Sequence, residues 1–136
     1  MAGAMSGKKM KTVLAHGVFD LVHPGHIEHL KQAREMGEKL VVSITSDRHV
    51  HKGPGRPVFD QRQRKVFLES LRFVDRVVVT DSPSAVPAIM AIHPFIYAKG
   101  PDYLLEEGAG NMEEERFAVE TFGGTLRFTT GAVHSS

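Results

Sequence analysis

The feature that most constrains this chain is the stretch Gly17-Val18-Phe19-Asp20-Leu21-Val22-His23-Pro24-Gly25-His26. Strand-forming residues from Thr12 to Ala15 lead into it. Ile27, Leu30, Ala33 and Met36 follow at three-residue spacing, with Glu28, Lys31, Arg34 and Glu35 between them. An extended run passing into a helical period reads as a strand-to-helix turn. Pro24 falls at the first helical position, where its missing N–H costs nothing. The first N–H groups of a helix lack intrahelical partners and sit at the positive end of its dipole, so the turn is a natural anion site. Gly25 lets a phosphate approach the backbone closely, and His23 and His26 flank it. The residues read as a polyphosphate cradle with two imidazole arms. Two plainer readings stay open at this point: a helix cap, and a metal site drawn from His16, His23, His26 and His29.

The rest of the chain repeats the strand-helix alternation. Gly37 closes the first helix, just past its last periodic residue. Leu40 to Ile44 is a short apolar, β-branched run of the kind a buried strand needs. Thr45 to Val58 interleaves Arg48, Lys52 and Arg56 with Gly53, Pro54, Gly55 and Pro57, as expected of a loop at a strand's carboxyl end. A helix is expected over Asp60 to Leu71, with Val66, Phe67 and Leu71 inward and Arg62, Lys65 and Glu69 outward. Val74 to Thr80 reads as the third strand. Asp81-Ser82-Pro83 reads as the start of a helix running to Ile92. Phe95 to Ala98 makes a fourth strand, Asn111 to Phe122 a helix stopped by Gly123-Gly124, and Leu126 to Thr129 a fifth strand. Such alternation predicts an α/β fold with a doubly wound parallel sheet.

Composition removes several classes of function. A chain of 136 residues suits one domain, able to bury about two-thirds of its unfolded surface. Net charge is +1, so no overall field favours nucleic acid or an anionic membrane. The sequence contains no cysteine, which excludes disulfides, thiolate metal sites and cysteine nucleophiles. Neither a membrane-length apolar run nor a signal-peptide core is visible, and a cytoplasmic location fits. Residues 1–11 read as a disordered leader or cloning remnant before a domain over 12–136.

With these residues in view, G-x-F-D-x-x-H-x-G-H resembles the signature of the cytidylyltransferase-like nucleotidyltransferases. In that family the H-x-G-H turn binds a triphosphate and stabilises the transition state of nucleotidyl transfer. Lys52-Gly53 through Arg56-Pro57-Val58, then Gln63-Arg64 and Val74-Asp75, resemble the segment after the second strand in sugar-phosphate members. The likeness is greatest to the adenylyltransferase domain of heptose-phosphate enzymes, often fused to a sugar kinase. Lys99-Gly100-x-Asp102-Tyr103 matches their K-G-x-D-Y, and Gly123-Gly124 with Phe128-Thr129 and Ser135-Ser136 matches the approach to a closing hydroxyl-rich motif. Two departures stand out. Arg62 occupies a place where a glutamate usually precedes the arginine matching Arg64. Relatives also continue beyond the position of Ser136 into a further helix, so a C-terminally truncated domain is expected.

The resemblance implies a single Rossmann-like domain with a five-stranded sheet. It implies transfer of a nucleoside monophosphate from ATP or CTP to a sugar phosphate, with release of pyrophosphate. His23, His26 and Lys52 would be catalytic. Gly17, Val18, Phe19, Gly25, Arg64, Lys99, Gly100, Asp102, Ser135 and Ser136 would bind nucleotide or phosphate, and His16 is a lesser candidate. Magnesium is expected, held mainly through the substrate's phosphates, with no metal-ligand set in the protein. The partners implied are a nucleoside triphosphate and a sugar or polyol phosphate, with room for a homodimer and for a kinase fusion in a longer chain. Rival readings are a cytidylyltransferase for glycerol phosphate or a similar alcohol phosphate, and a nucleotide-binding module without turnover.

Overall fold

The computed structural model describes residues 10–51, 53–101 and 112–130. In order these form β1 (Thr12–Gly17), α1 (Pro24–Glu35), β2 (Lys39–Thr45), a 3-10 turn (Asp47–His49), α2 (Gln61–Glu69), β3 (Arg76–Thr80), α3 (Val86–Ile92), β4 (Ile96–Lys99), α4 (Met112–Thr121) and β5 (Thr125–Phe128). All strand pairs are parallel, in the order β3-β2-β1-β4-β5. The expected five-stranded doubly wound sheet is present.

The strands alternate their side chains between two cores. Val13, Ala15, Leu40, Val42, Ile44, Ile96 and Ala98 face Leu30 and Ala33 of α1 and Leu68 of α2. Leu14, Val41, Tyr97 and Leu126 face Ala88 and Ile89 of α3 and Ala118 and Val119 of α4. β2 is buried from Leu40 through Thr45, which explains its mostly apolar run, interrupted only at Ser43 before Thr45. The first two crossovers move outward from β1 through β2 to β3, and the chain then returns to place β4 on the other side of β1. The β1/β4 boundary is therefore the switch point, where open α/β sheets leave a crevice at the strands' carboxyl ends.

Two expectations about elements need correction. In α2 the inward positions are Arg64 and Leu68, while Val66 and Phe67 are exposed. Leu71, just past the helix, does pack on the core. The inward stripe thus runs through 64, 68 and 71, because Arg64 finds carbonyl partners inside the fold. The third crossover element also starts late. Its helix begins at Val86, not at Asp81. Asp81 instead accepts from Ser46 and Arg48, and the Ser82 and Ser84 hydroxyls accept the N–H groups of Ser84 and Val86, which keeps 81–85 as successive bends.

Candidate active site

The turn between β1 and α1 lies at the switch point, and its two histidines cap the helix reciprocally. His23 is the N-cap residue, in extended conformation, and its Nδ1 accepts the Gly25 N–H at 3.0 Å. His26 Nδ1 in turn accepts the His23 N–H at 3.2 Å. This is the reciprocity of a capping box, with imidazoles in place of hydroxyl and carboxylate. It has a chemical consequence: a nitrogen that accepts an N–H carries no proton. Each Nδ1 is thereby used as an acceptor, which leaves Nε2 as the donor nitrogen of each ring, that of His26 being buried. The rings lie 4.1 Å apart between centroids, with His26 buried and His23 exposed.

The residues before the cap set its position. Phe19 has a left-handed backbone (φ 56°) and packs edge-on against His26, with centroids 5.6 Å apart. That ring leaves little room at position 17, where a Cβ would stand 3.0 Å from a Phe19 ring carbon. Any other residue at position 17 would make the ring shift by a few tenths of an ångström.

Asp20 is structural, as an aspartate in a turn usually is, but its partners lie across the site. Its carboxylate accepts the N–H groups of Val58 (2.7 Å) and Phe59 (3.0 Å) and Arg56 Nε (3.0 Å). Burial opposes its ionisation, yet these donors together outweigh it and hold its carboxyl below the usual range. The β1–α1 turn and the end of the β2–α2 loop therefore move as one piece.

Arg64, expected at the phosphates, and Lys99, expected on the nucleotide side, both turn their charge inward. Arg64 is buried; Nε donates to Phe59 O, one terminal nitrogen to Val18 O and Thr45 O, and the other to Asp47 at 2.7 Å. It ties the turn, the end of β2 and the start of α2 together, and Asp47 supplies the ion pair that Arg62 cannot. Lys99 is buried too, and its Nζ lies 2.7 Å from Glu115 Oε1. The same carboxylate accepts from Tyr97 OH and from the Ala85 N–H, and it lies beside the Tyr97 phenol, whose pKa is raised well above its usual value, first by burial and then by this charge. Lys99 is therefore a core cation rather than a free arm. Glu115 was detectable: it sits on the apolar stripe with Ala118 and Val119, and an acid on such a stripe signals a buried partner. Asp47 gave no comparable sign.

His16 ends β1 beside the turn, with Nδ1 3.0 Å from Ser43 Oγ and Nε2 donating to Pro83 O at 3.2 Å. Burial lowers its pKa to about 4, so it is a neutral core link at neutral pH. His16 and His29 are engaged away from the cap, and among the described residues no group of three His, Asp or Glu side chains is placed to hold a metal ion. Val18 and Gly100 are buried at the two strand ends flanking the crevice. Lys52, Asp102, Ser135 and Ser136 lie outside the described residues. A cavity of about 300 Å³, lined by Phe19, Leu21, Val22, Phe59, Gln63, Arg64 and Phe67, adjoins the turn.

A helix start carrying two histidines, at the switch point of a five-stranded parallel sheet, gives this α/β domain the form of a nucleotidyltransferase. Comparison with known proteins bears this out. The chain belongs to the cytidylyltransferase-like family, whose match spans residues 14–128. It is 38% identical over 118 residues to the bifunctional protein HldE of Methylobacillus flagellatus, covering 85% of this chain and 23% of that protein. It is 41% identical over 110 residues to HldE of Campylobacter concisus, covering 79% of this chain and 23% of that one. The chain thus spans about a quarter of the length of these curated relatives. Among solved structures, the lipopolysaccharide core biosynthesis protein from Thermoplasma volcanium superposes with a TM-score of 0.74 at 27% identity, covering 90% of this chain and 98% of that one. No helix among the described residues is long and apolar enough to cross a membrane.

Proposed function

We propose that this domain transfers a nucleoside monophosphate from a nucleoside triphosphate, ATP or CTP, to a sugar phosphate. A phosphate oxygen of the acceptor attacks the α-phosphorus, the bond from that phosphorus to the bridging oxygen breaks, and pyrophosphate leaves. The reciprocal histidine cap carries the reading: it fixes two Nε2–H donors at a helix N-terminus, where the dipole and unpaired N–H groups already favour an anion. A phosphate monoester is already an anionic nucleophile near neutral pH, so the reaction needs no protein base. What it needs is orientation and stabilisation of charge growing on the leaving pyrophosphate. In this scheme His23 and His26 donate to the α- and β-phosphate oxygens. Gly17, Val18, Phe19 and Gly25 form the wall of the cradle. The β4 end at Lys99 and Gly100, with Asp102, forms the nucleoside side. Lys52 and the Ser135–Ser136 segment complete the phosphate contacts. Arg64 acts from behind, holding Val18.

Magnesium enters as part of the substrate, neutralising the triphosphate and bound chiefly by its oxygens. The bifunctional relatives and the lipopolysaccharide-core neighbour favour a sugar-phosphate acceptor and a second activity on a longer chain. Pyrophosphate release tests the proposal, measured with four nucleoside triphosphates against a panel of sugar and polyol phosphates. Release that needs both magnesium and a sugar phosphate is expected. Release only with glycerol phosphate would move the acceptor to that class, and nucleotide binding without any release would make this a binding module.

A further inference from the structure

Helix α1 is tied to the far side of the sheet by two polar side chains. His29 Nδ1 lies 2.6 Å from Thr129 Oγ1, and both residues are buried. One turn on, Gln32 grips Thr130 twice: its Oε1 accepts the Thr130 N–H at 2.9 Å, and its Nε2 donates to the Thr130 hydroxyl at 3.0 Å. Thr129 is held from the other side as well, because its N–H donates to Lys99 O at 2.9 Å and extends the β4–β5 pairing. These bonds run from the helix that carries the histidine cap to the two strands across the switch point. They join that helix to the β4–β5 side of the switch point, whose two sides end in the His23–His26 turn and the Lys99–Gly100 strand end.

An apolar pair at 29 and 129 would fill the same space. Burying an imidazole and a hydroxyl costs desolvation that their hydrogen bond only roughly restores. The gain is a fixed register between α1 and the end of β5, since a hydrogen bond has a preferred distance and direction while apolar packing tolerates sliding. We infer that His29 and Gln32 are positioning residues that set the width of the nucleotide crevice, and so the distance between its phosphate and nucleoside walls. This rests on the nucleotidyl-transfer reading above. It assigns to that site two residues that touch no substrate.

The experiment uses the 136-residue chain, with binding of magnesium ATP and magnesium CTP by calorimetry, steady-state pyrophosphate release, and thermal melting. Thr129→Val keeps shape and removes the hydroxyl; His29→Leu removes the ring; Gln32→Ala removes the second grip. Thr129→Val and His29→Leu should each weaken the preferred nucleotide about tenfold in Kd and KM, the size of one lost buried hydrogen bond. The KM for the acceptor phosphate should stay unchanged. The double variant should lose no more than either single one, because both remove the same bond. His29→Asn, which places a polar atom near the position of Nδ1, should restore nucleotide KM to within about threefold, a residual of under 1 kcal/mol. Lower melting temperatures with unchanged nucleotide KM would overturn the inference and leave a purely structural clasp. A wild-type chain that neither binds nor turns over either nucleotide would overturn the nucleotidyl-transfer reading, and this inference with it.

Discussion

The histidine cap and the two interior cations, Arg64 and Lys99, look alike in sequence, as nitrogen-rich side chains near a phosphate site. In the fold they differ completely. His23 and His26 spend one ring nitrogen on the backbone of their own helix and carry a proton on the other. Arg64 and Lys99 direct their charge inward, onto carbonyls and the carboxylates of Asp47 and Glu115. The difference shows that residue type announces charge, while availability depends on what the fold brings up behind it.

Substitution separates the two groups. Arg64→Ala should act on folding, lowering stability by about 3–5 kcal/mol, since it removes a buried guanidinium and strands the carbonyls of Val18, Thr45 and Phe59. Urea denaturation measures this, and a variant of full stability with weakened nucleotide binding would return Arg64 to the phosphates. His23→Ala and His26→Ala should do the reverse. Turnover in the pyrophosphate assay should fall about 10²–10³-fold, the size of a lost preorganised donor. Stability should drop by only about 1 kcal/mol, for the cap. Wild-type turnover in either variant would remove that ring from the mechanism.

Acid sharpens the contrast among the histidines themselves. Burial lowers His16 and His29 from the ordinary 6.5 to about 4. Between those values the unfolded chain binds the proton and the folded chain does not, so stability is complete above pH 6.5 and falls as pH drops toward 4. The loss is up to about 3 kcal/mol for each ring. Urea midpoints at pH 7, 5.5 and 4.5 should decline, and His16→Gln should flatten the slope; an unchanged slope would show that His16 contributes none of it. The smallest effect belongs to an exposed cation. Lys65 pairs with Glu69 on the outer face of α2, and Lys65→Ala should cost only about 0.3–0.5 kcal/mol. A larger loss by the same denaturation would mean that this face is not solvated as its exposure indicates.

The legibility of each region follows from the range of its interactions. The cap could be read because everything it needs lies within four residues: an extended N-cap, Pro24, Gly25 and a second imidazole three positions on. The sheet could be read because burial on both faces writes itself into β2 as a mostly apolar run. Arg64 could not, since Val18 and Thr45 reach it across 46 and 19 residues, and local pattern assigns any arginine to the outside. The same blindness exchanged the faces of α2, with Val66 and Phe67 exposed where an inward stripe was expected. Asp20 was legible as a turn-former, but its partners at Val58 and Phe59 were not.

That last attachment bears on how such a domain can vary. By gripping the backbone at Val58 and Phe59, Asp20 pins the downstream end of the β2–α2 connection to the histidine turn. Upstream of that attachment Gly53, Pro54 and Gly55 are exposed, so insertions and substitutions should be tolerated best at this tip. Changes at that exposed tip leave the anchored end, and with it the histidine turn, in place. A variable tip and a fixed turn are thereby separated at a single carboxylate.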